Sequence, residues 1–294
     1  MKYLRSPLNY TGGKYMLLGQ ILPLFPQKIE CFVELFAGGC NVGLNVDAKR
    51  MILNDNNKHI IELYEYFEQN SVEFIVDEIE KTIRHFGLSE SSLYGFEYYD
   101  TNSMKGLASY NKIPFESLRN TYNKRPNPLL FYVTLIFSFN NQIRFNPQGE
   151  YNSHVNKRDF NSYMRRNLIA FIQRLKTLDI SWSALHYKDV PIQKDAFVYL
   201  DPPYLASQAV YNERGAWCET KEGELLDYID TLNAKGVKFA LSNVLQNKGV
   251  KNELLSIWSK NYKVHKLDFT YHNCNYHAQN KKTNTTHEVL ITNY

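Results

Sequence analysis

Cys31-Phe32-Val33-Glu34-Leu35-Phe36-Ala37-Gly38-Gly39 is the stretch on which the fold turns. Residues 31–35 form a short, mainly apolar run of strand length, and the two closing glycines permit a tight turn and close approach of backbone to a neighbour. A helical-looking stretch follows at 41–47, and a second apolar run at 51–53 ends in Asn54-Asp55. Ile60, Ile61, Leu63, Tyr64 and Phe67 then repeat at helical spacing. Strand, glycine turn, helix, strand and helix make a βαβ unit, so the chain is expected to be α/β.

Outward from this unit the pattern changes twice. Residues 71–176 read as mainly helical, with 3.6-type spacing at 72–86, 129–139 and 163–175 and polar loops between. After Ile180 strand and helix signals alternate again: strands at 196–200, 237–241, 263–269 and 288–292, with helices near 222–234 and 250–258. The expected organisation is a catalytic and cofactor-binding domain from 1–70 and 177–294, interrupted by an inserted domain at 71–176. No internal repeat or low-complexity linker divides the chain otherwise.

Composition narrows the class. With 294 residues and 44% hydrophobic content the chain can bury a sizeable core. No stretch approaches the roughly 20 apolar residues of a membrane span, and residues 1–5 lack the apolar core of a secretory signal, so a cytoplasmic location is expected. Cys31, Cys40, Cys218 and Cys274 show no paired spacing, which disfavours a disulfide framework. His272, Cys274 and His277 fit no common zinc pattern and read better as a polar loop, so no metal is expected.

The net charge of +4 hides an asymmetry: residues 105–176 hold 12 Lys and Arg against 3 Asp and Glu, a local balance of +9 that leaves −5 elsewhere. The same segment holds 11 Asn and 12 Phe or Tyr. Such a mixture suits a surface that neutralises phosphates, bonds base edges and stacks on bases, and equally suits a basic face over an aromatic core.

In an open α/β sheet ligands bind beyond the carboxyl ends of strands, where Gly38, Gly39, Asp55 and Asp201 all fall. An acid closing the second strand, about 20 residues beyond the glycine turn, suits ribose hydroxyls, while a turn that is not GxGxxG disfavours a dinucleotide. Asp201-Pro202-Pro203-Tyr204 follows the apolar run 197–200. Two prolines remove two amide donors and fix the backbone, leaving an acceptor-rich corner. A carboxylate and a fixed carbonyl accepting the hydrogens of an aromatic amine would make its nitrogen a better nucleophile. Alone, the tetrapeptide reads equally as a proline-stiffened loop.

Together these motifs resemble the Dam-like, D12-class N6-adenine DNA methyltransferases of the alpha group. Leu8-Asn9-Tyr10-Thr11-Gly12-Gly13-Lys14 is similar to the family's first cofactor motif, Val33 through Gly39 to its glycine turn, Asn54-Asp55 to its ribose acid and Asp201-Pro202-Pro203-Tyr204 to its catalytic motif. Phe139-Asn140-Asn141-Gln142-Ile143-Arg144-Phe145-Asn146, with Gly149, Glu150, Tyr151 and Asn152, resembles its DNA-contacting hairpin. Leu241-Ser242-Asn243 and the closing Glu288-Val289-Leu290-Ile291-Thr292-Asn293-Tyr294 also fit.

The resemblance implies an α/β, Rossmann-like S-adenosylmethionine-dependent methyltransferase sheet of about seven strands, with the helical insertion as target-recognition domain. It implies catalysis by Asp201, Pro202 and Tyr204, and a cofactor site drawn from Tyr10, Gly12, Gly13, Lys14, Glu34, Phe36, Gly38, Gly39, Asp55, His186 and Asp201. It implies DNA contacts from Asn140, Asn141, Arg144, Phe145, Asn146, Lys157 and Arg158. S-adenosylmethionine is the implied methyl donor and double-stranded DNA the implied partner, with room for a cognate restriction endonuclease; a monomer is expected. Two stretches depart from the pattern. Ser153-His154-Val155-Asn156-Lys157-Arg158 stands where relatives carry a Val-Pro-Phe-Gly-like run, so no target sequence is carried over. His186, or Asp189 on a shifted alignment, stands where relatives place an acid. N4-cytosine methylation, RNA methylation and a non-catalytic DNA-binding module are the competing readings; Asp at position 201 favours adenine, and intact Asp201 and Tyr204 favour catalysis.

Overall fold

A computed structural model describes residues 3–10, 12–206, 217–268 and 286–294. His272, Cys274 and His277 lie outside the described residues, as do residues 207–216. The chain divides into two compact units.

One unit, residues 14–37, 45–56 and 179–294, is built on a sheet. Its strands are β1 (Cys31–Glu34), β2 (Arg50–Asn54), β3 (Ile180–Ser183), β4 (Ala196–Leu200), β5 (Lys238–Asn247), β6 (Val250–Lys251), β7 (Lys263–Leu267) and β8 (Thr286–Thr292). They lie in the order β3-β2-β1-β4-β5-β8-β7, with β6 paired to β5. The first five of that order run parallel, and β8 joins β5 and β7 antiparallel. The eighth strand beyond the expected count is the two-residue β6.

Strand sequence follows from burial on both faces. All five residues of β4, Ala-Phe-Val-Tyr-Leu, are buried, as an interior parallel strand requires. Val33, Val198, Phe239 and Ile291 join one cluster with Leu225, Leu226 and Ile229 of α8 (Glu219–Ala234) and with Leu255 of α9 (Glu253–Trp258). Neighbouring positions alternate to the other face. There Phe25, just beyond the short α1 (Leu18–Ile21), has ring centroids 6.2 Å from Phe32, 4.8 Å from Phe197 and 5.5 Å from Tyr199. Strand order reverses between β1 and β4, which places the crevice at their carboxyl ends.

The other unit, residues 1–13, 38–44 and 57–178, is mainly helical. It holds α2 (Lys58–Gln69), α3 (Val72–Phe86), α4 (Ser91–Tyr94), α5 (Ala108–Lys124), α6 (Pro128–Phe137) and α7 (Ser162–Leu175). Local chemistry sets the ends. Ser71 Oγ accepts from Phe74 N at the start of α3, and Gly87 takes φ +71° at its end. Asn127 caps α6 just ahead of Pro128. All residues 131–137 of α6 are buried, and α2, α3 and α5 pack around it.

Two local expectations are corrected. Residues 41–47 are not a helix but a loop with one tight turn, Gly43–Asn45. Cys40 stands at φ +55°, and Asn41 spends its side-chain oxygen on Ser6 N, 3.1 Å away. The polar stretch between the first two helices of the insertion contains a 17-residue helix, α5, despite Pro114. Asn111, Phe115, Leu118 and Tyr122 are its buried stripe, and an asparagine and a tyrosine in that stripe mute the apolar signal.

Candidate active site

The sheet crevice is lined by acids. Glu34 ends β1, Asp55 follows β2, and both are buried; Asp201 follows β4. Asn54 ties the strand exits together: its Nδ2 donates to Leu35 O at 3.0 Å and Leu185 O at 3.1 Å, and its Oδ1 accepts from Leu185 N at 3.0 Å. Asp55 N donates to Ser183 O at 3.1 Å. The carboxylates thus sit on a rigid rim, although Asn54 carries no functional expectation from sequence beyond its place beside Asp55.

Asp201 is the centre of a four-residue cluster. Lys14 Nζ lies 2.8 Å from Asp201 Oδ2 and 3.7 Å from Glu288 Oε1. Tyr204 donates its hydroxyl to Asp201 Oδ1 at 2.8 Å and reaches Glu288 Oε1 at 3.3 Å, and its ring centroid lies 4.9 Å from Lys14 Nζ. Lys14 and Glu288 are each 3% exposed and Asp201 18%, so Asp201 is the member open to a ligand. Burial pushes the Asp201 carboxyl above its ordinary range, and the Lys14 ammonium and Tyr204 hydroxyl hold it back. Burial also pushes Glu288 up; Lys14 opposes the rise and the like charge of Asp201 adds to it. The Tyr204 hydroxyl is raised well above its usual value by burial and stays protonated. Pro202 is buried against the strand and Pro203 exposed. Glu288 is a member that motif reading assigned only to a closing strand.

The other expected cofactor residues of the sheet unit differ in setting. Phe36 is half-buried, 5.4 Å from the Tyr187 ring and 6.2 Å from Trp217. His186 is exposed, its ring lies tilted against Tyr187 at 4.4 Å between centroids, and its Nδ1 accepts from Lys188 N at 3.4 Å; Asp189 is exposed too.

Within the helical unit, Tyr10 lies against the glycine turn. Gly38 has φ +47°, and a Cβ there would stand 2.8 Å from the Tyr10 ring. Tyr64 OH donates to Gly38 O at 2.7 Å, Gly13 N donates to Tyr10 O at 3.1 Å, and a Cβ on Gly39 would meet Tyr10 Cβ at 3.0 Å. Gly12 takes φ +80° in open space. Gly38→Ala is expected to cost about 1–2 kcal/mol from the left-handed backbone alone, before the ring is displaced. A lower urea midpoint measures it, and an unchanged midpoint would show that the turn relaxes freely.

The hairpin residues fall into two groups. Asn141 Nδ2 donates to Leu135 O and Ile136 O, capping α6, and Asn146 Oδ1 accepts from Gln148 N and Glu150 N at the hairpin tip. Phe145 packs into the unit, stacked 4.7 Å from the His59 ring and edge-on to Tyr151 at 5.4 Å. Asn140, Arg144, Lys157 and Arg158 are exposed. So is Phe139, 52% exposed and followed by Asn140 and Asn141 at φ +53° and +52°. Sequence reading passed over Phe139 as the start of the motif; only its exposure marks it.

A partly exposed carboxylate, a proline-stiffened turn and two further buried acids thus stand at the exits of adjacent strands. The family description "D12 class N6 adenine-specific DNA methyltransferase" matches residues 10–273, nearly the whole chain. The chain belongs to that family. This D12-class chain is 42% identical over 304 residues to the modification methylase StsI of Streptococcus sanguinis, covering 100% of this chain and 43% of that protein. It is 40% identical over 301 residues to the type II methyltransferase M.FokI of Planomicrobium okeanokoites, covering 99% and 43%. The DNA adenine methylase of Escherichia coli (strain K12) is 29% identical over 218 residues, 72% of this chain and 69% of that protein. The D12 chain therefore spans less than half the length of the first two relatives. No helix among its described residues is long and apolar enough to cross a membrane.

Proposed function

We propose that the chain transfers the methyl group of S-adenosylmethionine to N6 of an adenine in double-stranded DNA. The observation that carries this reading is the Asp201 carboxylate at the end of β4, beside Pro202 and held at both oxygens by buried Lys14 and Tyr204. The cofactor suits the rim. Its ribose hydroxyls, ammonium and adenine amine are donors or cations, and Glu34, Asp55 and Asp201 on three adjacent strands are acceptors. Glu34, Phe36, Asp55 and Asp201 would hold it, with Tyr10, Gly12, Gly13, Gly38 and Gly39 following the family motif and His186 in the place of an acid. When bound it supplies a methyl group already activated for transfer.

The chain's own task is then to deliver and polarise the amine. Adenine must leave the stack to reach such a site. Asp201 Oδ and the Pro202 carbonyl accept the two amine hydrogens; each carboxylate oxygen keeps a lone pair beyond the one used by Lys14 or Tyr204. As the nitrogen becomes pyramidal its developing positive charge faces the carboxylate, an interaction strongest in a dry site. Pre-set geometry supplies most of the rest.

Residues 71–176 act as the target-recognition domain in this reading. Arg144, Lys157 and Arg158 contact phosphates or guanine edges, with Asn140 beside them, while Asn141 and Asn146 hold the hairpin's shape. Phe139, with its exposed ring, is the better stacking residue, and Phe145 supports the hairpin. The names of StsI and M.FokI support a further reading, in which the chain is the modification partner of a restriction endonuclease; a monomer in the cytoplasm completes the proposal.

Incubation with duplex DNA and methyl-labelled S-adenosylmethionine, followed by nucleoside analysis, is expected to yield N6-methyladenine. Label on cytosine, or none, would sink the assignment. Phe139→Ala is expected to lower turnover about tenfold, the value of one lost base–aromatic stack, and to reduce the fluorescence rise of 2-aminopurine at the target position. Equal fluorescence would remove Phe139 from the role.

A further inference from the structure

Glu288 has no part in the proposed chemistry, yet it stands inside the catalytic cluster, and any role for it there rests on the methyl-transfer reading. One ammonium, Lys14, faces two acids, the buried Glu288 and the partly exposed Asp201, and lies nearer Asp201. Glu288 Oε2 is buried and meets no hydrogen-bond partner among the described residues. The other polar groups facing this carboxyl are Asp201 and Tyr204 from the loop after β4, and Tyr199 of β4, whose hydroxyl is 2.7 Å from Ser242 Oγ. Its register neighbours on β5 and β7 are Val244 and Leu267, which carry no charge. An ionised carboxylate with a bare buried oxygen and half a share in one cation is costly, and a neutral carboxylic acid there costs much less.

We infer that Glu288 is a positioning residue working as the neutral acid: its Oε1 takes the longer arm of the hydrogen bond that Tyr204 donates mainly to Asp201, and it faces Lys14, aligning the two donors that grip the oxygens of Asp201. The Lys14 ammonium then balances the charge of Asp201. Burial, the largest influence, and the neighbouring Asp201 favour the protonated form, against the pull of Lys14 and of the Tyr204 hydroxyl. Glutamine reproduces that form in shape and in its acceptor oxygen; leucine does not.

The test compares wild type, E288Q and E288L in single-turnover methylation of duplex DNA across pH, with KM values for DNA and S-adenosylmethionine. E288L is expected to be about tenfold to a hundredfold slower, the range for a lost hydrogen bond to a charged group, with both KM values little changed. Its acid limb should move to higher pH, because the donors that favour ionised Asp201 have loosened. E288Q is expected to lose no more than about threefold, since the amide keeps the acceptor. An infrared carboxylic-acid band present in wild type at neutral pH should vanish in E288Q, whether or not the chain methylates DNA. Should E288L fail to fold, E288Q and the infrared band decide. E288L as fast as wild type, E288Q as slow as E288L, or no such band would overturn the inference. Wild type that leaves DNA unlabelled would instead overturn the methyl-transfer reading.

Discussion

Asp201→Ala is expected to lower single-turnover methyl transfer by at least about 10³-fold, the upper range for one preorganised polar group at a developing charge. The loss should fall on the chemical step. DNA affinity resides in the basic helical unit under the proposed reading, so gel-shift binding of duplex DNA should change by less than threefold or so, within the noise of a remote substitution. Asp201→Asn should fall nearly as far: the amide keeps one acceptor but loses the charge that meets the pyramidal nitrogen, and its NH₂ meets the Lys14 ammonium donor to donor. Transfer at the wild-type rate in either variant would show that the carboxylate is not the polarising group.

Lys14→Met is expected to be the most destabilising single change in the site. It strands the Asp201 carboxylate without its cation, and breaking a buried pair by removing one partner costs about 3–5 kcal/mol. The sign of its pH dependence follows from the direction of the shifts. Both carboxyls bind protons more tightly folded than unfolded. Their contribution to stability is therefore full below the ordinary carboxylate range and is lost as pH rises through the folded values. Without Lys14 both values rise further, so the Lys14→Met deficit should be largest at neutral pH and shrink in acid. The acid limb of any residual activity should move upward as well. Urea unfolding at three pH values measures this; a deficit independent of pH would show that Lys14 acts by packing rather than by charge.

Much of the fold is legible in short windows. The run 196–200 is a strand because five apolar residues in a row suit a parallel strand covered on both faces, and the structure keeps those bounds for β4. Helix α3 occupies 72–86 as its spacing predicts, with Ser71 as the local start signal and Gly87 as the stop signal. Reading fails where the deciding partner is remote. The stretch after Gly39 has helical composition, but a left-handed Cys40 and the bond from Ser6 to Asn41 draw it into a loop. Helix α5 hides behind Pro114 and a stripe whose first member, Asn111, is buried because it bonds Ser89.

The same division runs through the site. Sequence alone determined the α/β alternation, the glycine turn, the acids at strand ends and the proline-stiffened acceptor corner at Asp201, since each depends on residues within a few positions of one another. Only the tertiary structure decided that Lys14, Asp201, Tyr204 and Glu288 share one buried cluster, that Phe139 is exposed while Phe145 is packed, and that Asn54 locks the strand exits. The reason is physical. Propensity and periodicity act along the chain, whereas ion pairing, desolvation and ring packing depend on distance in space, which strand order sets when it places β8 beside β5 and β4 beside β1.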